Sequence, residues 1–151
     1  NGLYIMSRRT SILKALSDKF KTIDGTTGFN TNLYGEAHAK LKFWDEVEAF
    51  PCIYMSPGTE YREYLPSAFK WGFLAISVKL YVKSTENSAA ELELLLEDVE
   101  KVIDSNITLV YDSENNYETA DIQIQSITTD EGLLAPYGVG EVNIQVRYPI
   151  M

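Results

Sequence analysis

A chain of 151 residues, 45% of them hydrophobic, is long enough for one domain around one core and too apolar for a disordered segment. Its formal charge of −9, from 22 acids against 13 scattered bases, argues against tight nucleic-acid binding, which needs clustered Lys and Arg. No apolar run approaches the ~20 residues that cross a bilayer, and no signal-type block opens the chain. No membrane partner is therefore expected, and the protein is placed in the cytoplasm or in whatever is assembled there.

Residues 1–5 precede Met6, which is taken as the natural start, with the five residues before it an appended remnant. Residues 7–21 read as a helix. Ile12, Leu13, Leu16 and Phe20 make one stripe, and Arg8, Arg9, Lys14 and Lys19 fall mainly between them. Gly25 and Gly28, with Thr26 and Thr27, end it. Residues 28–39 show no period and read as a long loop. Leu41, Phe43 and Val47 flank an acidic Asp45-Glu46 turn, and residues 50–55 read as a strand with Pro51 near its start. Ser56, Pro57 and Gly58 signal a turn, and residues 61–64 a short strand or exposed hairpin arm.

The clearest strand covers residues 71–83. Gly72, Leu74, Ile76, Val78, Leu80 and Val82 share the core face; Trp71, Phe73, Ala75, Ser77, Lys79, Tyr81 and Lys83 share the other, which is expected to be partly covered. The strongest helix follows. Ser88 and Glu91 have capping-box spacing, and Leu92, Leu95, Leu96, Val99, Val102 and Ile103 form its apolar stripe. Ser105-Asn106 ends it, and residues 112–116 make a polar turn. Alternation at Ile122, Ile124 and Ser126, and again at Val142, Ile144, Val146 and Tyr148, predicts two strands paired as a hairpin through a loop at residues 130–140. The order implies a single α+β domain over residues 1–151: a mixed, mainly antiparallel sheet with two helices packed on one face.

Reactive chemistry is hard to find. The one cysteine, Cys52, reads as a buried small side chain, and the one histidine, His38, as a solvated loop residue with nothing to aim it. Gly138-Val139-Gly140 lacks the lysine and third glycine of a phosphate loop. Asp45, Glu46 and Glu48, or Asp112, Glu114 and Glu118, suggest cation ligands, but neither set has the glycine and closing acid of a calcium loop. Glu91, Glu93, Glu97, Asp98 and Glu100 spread around their helix as a solvated face. No catalytic residue, metal ligand or cofactor site is assigned. What stands out is ten tyrosines. Tyr34, Trp44, Tyr54, Tyr61, Tyr64, Tyr81, Tyr111, Tyr117 and Tyr137 read as exposed aromatics, and such residues are enriched where proteins meet.

The order of landmarks carries a resemblance. An N-terminal helix with Arg9, Ile12, Leu13, Ala15 and Leu16 is followed by Phe43-Trp44. Then come Phe50-Pro51-Cys52-Ile53-Tyr54, Pro57-Gly58-Thr59-Glu60-Tyr61, and the long strand ending at Tyr81-Val82. An acidic helix and a last strand ending Val146-Arg147-Tyr148-Pro149 complete it. This resembles the tail terminator family of siphoviruses, the lambda-like tail terminators. Residues 28–39 are longer than that family's pattern.

The resemblance implies a structural, non-enzymatic protein of the virion, at the head-proximal end of the phage tail. It implies a homo-oligomer, a hexameric ring. That ring caps the tail tube, ends its polymerisation and offers a docking surface to the head. The implied partners are the tail tube protein and a head completion or connector protein; DNA passes through without specific binding, and an acidic lumen would repel its phosphates. The expected contact elements are the arm at residues 58–66 and the loop at residues 129–140, with Glu60, Tyr61, Arg62, Glu63, Tyr64, Leu65, Leu133, Leu134 and Tyr137 as interface residues. Arg62 is expected to pair with Glu60 or Glu63 between subunits. The alternatives are another head–tail joining or tail tube subunit, and a small enzyme with a carboxylate site that no motif marks.

Overall fold

In the computed structural model, which describes residues 5–26 and 28–151, the first helix begins where Ser7 accepts the Thr10 amide at 3.1 Å. Helix α1 spans Arg8–Phe20 and buries Ile12, Leu13, Leu16 and Phe20, the stripe its sequence marks. Thr27, and residues 1–4 of the proposed remnant, lie outside the described residues.

The segment read as a loop over residues 28–39 contains a short strand. In β1, Ala37–His38, the chain pairs in parallel with Ile53 and Tyr54. Leu33 and Ala37 are buried there. Two residues are too few to show a period, which is why the pattern reads as irregular. Trp44–Glu46 forms a single 3-10 turn, as the acidic cluster suggests.

The long hairpin β2 (Cys52–Tyr64) and β3 (Lys70–Lys83) dominates the sheet. The turn expected at Ser56-Pro57-Gly58 is absent. The strand runs through it and takes up the irregularity as a register shift between Pro57 and Glu60. Proline is tolerated because, among the described residues, β1 pairs with β2 at Ile53 and Tyr54 and no strand lies outside Pro57, which pairs with Ile76 on its inner side. In β3 the side chains of Leu74, Ile76, Val78, Leu80 and Val82 are buried on one face. Each such burial contributes about 1.5–3 kcal/mol, so this face fixes the register.

Helix α2, Ser88–Asp104, is capped by Asn87, whose Oδ1 accepts the Ala90 amide at 3.0 Å. Ser88, expected as the cap, is the first helical residue and is buried. Asn and Ser cap about equally well, so sequence places this boundary only to within a residue. A small pair, β4 (Val110–Asp112) and β5 (Tyr117–Glu118), leads into β6 (Asp121–Thr129) and β7 (Tyr137–Ile150). β6 and β7 are antiparallel, as the short connection requires. β7 starts earlier than expected, so Gly138 and Gly140 are strand residues and not loop. A Cβ at Gly138 would lie 2.7 Å from Val82 Cγ2 and 3.0 Å from the Ser88 carbonyl. Glycine lets the start of α2 sit directly on the strand.

The main sheet has the order β1-β2-β3-β7-β6; β1 is parallel to β2 and every other pair is antiparallel. Both helices pack on the Leu74–Leu80 face and share one hydrophobic cluster with it. This is the α+β architecture the sequence implies. On the opposite face a second cluster of the described residues covers one end, where Cys52, Tyr54 and Tyr81 pack with Trp44, Val47, Phe50 and Val139.

Candidate assembly surface

The far half of the β2–β3 hairpin extends beyond that second cluster. Glu60 to Tyr64 pair with Lys70 to Leu74, and the Leu65 amide closes the turn on the Phe69 carbonyl at 2.9 Å. Ser67 and Ala68 take φ of 69° and 63° to make that turn. Tyr61 is 69% exposed and Tyr64 72%, with Leu65 and Glu63 also at the surface. Lys70 Nζ lies 5.5 Å from the Tyr64 ring.

Glu60 faces inward instead. Its side chain is only 5% exposed. It accepts the Tyr148 hydroxyl at 2.8 Å and Arg62 Nε at 2.6 Å, and Arg9 Nε stands 3.9 Å away. Burial, and then the Glu60 carboxylate, push the Tyr148 hydroxyl up to about 12. Arg62, expected to pair between subunits, is thus paired within its own chain. Arg9 also donates to the Gly58 carbonyl at 2.9 Å, so α1 holds the bulge that aims the arm.

The second expected element sits elsewhere. In the β6–β7 loop Leu133 is 84% exposed, whereas Leu134 is half-buried, its amide donating to Asp130 Oδ2 at 3.0 Å. Tyr137 is half-buried between Trp44 and Phe50, with ring centroids 5.3 and 5.6 Å away. Tyr137 pairs with Lys83 at one end of β3, and the arm's Tyr64 pairs with Lys70 at the other. About 3.3 Å per residue over that strand separates the two elements by roughly 40 Å. They are opposite ends of the molecule and not one patch.

Several aromatics read as exposed are interior. Tyr54, Tyr81 and Tyr111 are buried, and Trp44 and Tyr117 are half-buried; Tyr34 is exposed as expected. The Tyr81 hydroxyl donates to the Lys42 carbonyl at 2.6 Å, a partner that permits burial. His38 is no solvated loop residue either: its ring stacks on Tyr54 at 4.8 Å, with Nε2 2.9 Å from Glu36 Oε1. Cys52 is buried as expected, and burial, with the Glu36 charge behind it, pushes its thiol up to about 12. Asp112 serves its own turn, accepting the Asn115 amide and Nδ2. Among the described residues no group of three His, Cys, Asp or Glu is placed to hold a metal. An open hollow of about 360 Å³ is lined by Glu93, Asp130 and Glu131. Asp130 there already accepts the Leu134 and Val139 amides.

Residues 6–151 match the family model described as Bacteriophage Tail Tube Terminator Protein. The chain belongs to the tail tube terminator family. It is 39% identical to the tail tube terminator protein p142 of Escherichia phage T5, over 95% of this chain and 94% of that one. Its fold is also similar to a chain from the virion of a native gene transfer agent particle, with a TM-score of 0.63 at 10% identity, covering 95% of this chain and all (100%) of the other. This tail tube terminator family member is a structural protein of the phage virion tail, with a tail-capping role, and not an enzyme.

One structural carboxylate in the terminator fold is not legible in the charge pattern of the sequence. Asp98 is not a solvated helix acid but is 1% exposed. It accepts the amides of Asn30 and Thr31, each at 2.8 Å, and the Thr31 hydroxyl at 2.6 Å. Its position between Leu95 and Val99, on the border of the apolar stripe, is the signal that marks it.

Proposed function

We propose that copies of this chain close into a hexameric ring at the head-proximal end of the tail tube. The ring ends tube polymerisation, offers a docking surface to the head connector, and passes DNA without specific binding. The arm and the β6–β7 loop are its contact elements, through Tyr61, Arg62, Glu63, Tyr64 and Leu65 at one end and Leu133, Leu134 and Tyr137 at the other. Glu60 acts from behind, holding the arm. The observation that carries this is the pair of tyrosines on the arm. Tyr61 and Tyr64 stand out in solvent although the chain has core enough to hide other aromatics. Tyrosine in that setting supplies large contact area at small entropic cost.

The test replaces both rings. Tyr61→Ala with Tyr64→Ala is expected to keep the wild-type fold by circular dichroism and to lose capping of tail tubes, seen in negative stain, and ring formation, seen by light scattering. Unchanged capping and unchanged ring size would remove the arm from the interface.

A further inference from the structure

The five-stranded sheet ends in two unfinished edges. β6 pairs with β7 on one side and, among the described residues, with no strand on the other. At the far side, beyond β1 and one bond from the Met55 amide to the Lys40 carbonyl, the stretch of β2 around Glu60 to Tyr64 has no outer partner strand among the described residues. Free edges are usually blunted by lysine, proline or a covering element. After Asp121 at its start, β6 runs uncharged from Ile122 to Thr129, without lysine or proline.

Both edges also carry exposed apolar side chains. Ile127 on β6 is 42% exposed, and Leu133 follows in the next loop. On the other side Leu41 and Phe43 follow β1, and Tyr61 and Tyr64 lie on β2. The registers set the levels. Asp121 stands level with Tyr61 through Arg147 and Phe73, and Ile127 level with Met55 through Val142 and Val78. Strand direction alternates from β2 through β3 and β7 to β6, so β6 runs opposite to β2. Copies set side by side around an axis, with the same sheet face inward, therefore bring β6 of one against β2 of the next as an antiparallel pair. The two edges differ, so the contact is head-to-tail, the kind that makes a ring when the rotation between neighbours closes.

We infer that the second copy docks here: the β6 edge of one subunit adds to the free β2 edge of its neighbour, joining the sheets around the ring. Ile127 and Leu133 then meet the Leu41 and Phe43 flank. This rests on the ring reading above and adds the surface that builds it.

The test places cysteines across the joint, in a chain whose native Cys52 is buried and silent. Gln123→Cys is combined in turn with Thr59→Cys, Tyr61→Cys and Glu63→Cys, all exposed positions. The protein is bound to tail tubes and treated with a short bis-maleimide linker. A denaturing gel is expected to show a ladder of covalent species beyond the dimer for at least one pair. Ile127→Lys with Gln125→Lys is expected to abolish ring closure while leaving the monomer's melting temperature within a few degrees. A Gln123→Cys variant that links to a dimer and stops would overturn head-to-tail pairing in favour of a two-fold β6–β6 contact. Normal capping with no cross-link from any pair, and with the double lysine tolerated, would overturn the edge contact and leave the ring standing. Wild-type protein that neither caps nor closes would overturn both.

Discussion

The two halves of the β2–β3 hairpin share one pair of strands and do different work. Near Cys52 and Tyr81 the hairpin is covered on both faces, by the helices on one side and the small aromatic cluster on the other. Past the register shift at Pro57 the second cover ends and tyrosines replace aliphatic side chains at the surface. Stability is concentrated in the first half, and the second is the proposed contact surface. Glu60 is the joint between them, a buried acid that ties the arm to β7 through Tyr148 and to α1 through Arg9.

Mutations graded along the strand sharpen this division. Ile76→Ala, in the buried part, is expected to cost about 2–5 kcal/mol by denaturant unfolding, since it removes packing the surroundings only partly refill. Tyr148→Phe, at the joint, is expected to cost about 1–3 kcal/mol, because the Glu60 carboxylate loses a partner inside the protein. Exchange of the arm amides should quicken in that variant before the core amides change.

Glu141→Gln should act through pH. Hydrogen bonds from Ser77 and Lys79 hold the Glu141 carboxyl below its ordinary value of 4.5. Its contribution is therefore complete above that value and lost as pH falls through the lowered one. The stability gap between wild type and variant should narrow on acidification, read from melting temperatures between pH 7 and about pH 3. Smallest of all, Tyr61→Ala with Tyr64→Ala should shift stability by no more than about 0.5 kcal/mol while assembly fails. A cost as large as that of Ile76→Ala would erase the distinction between the halves.

The parts with strong periodicity are legible in the sequence. The two helical stripes, the alternation of β3 and the antiparallel β6–β7 pair follow from side-chain spacing alone. The failures have separate causes. Ser56-Pro57-Gly58 has turn composition, but pairing with β3 before and after it holds it extended. Gly138 and Gly140 resemble loop glycines, yet they serve the close approach of α2. A partner for the hydroxyl accompanies burial at Tyr81, on the Lys42 carbonyl, and at Tyr148, on Glu60, and both partners are distant in sequence; Tyr111 is buried with its hydroxyl unpaired among the described residues. The arm was visible as a candidate because its tyrosines adjoin turn formers. That Glu60 points inward, and that Leu133 lies at the opposite end, depends on register and sheet order, which no local pattern encodes.

The ties on Asp98 change how the preceding excursion behaves. Asn30 and Thr31 belong to a stretch with little regular structure, but their amides end on a carboxylate buried in α2. Lys101 reaches back to the Gly28 carbonyl at 2.7 Å, and Asn30 also reaches Glu97 at 3.1 Å. Helix and excursion should open together, so these two amides would keep their protons as long as the second helix does and report its unfolding from outside it.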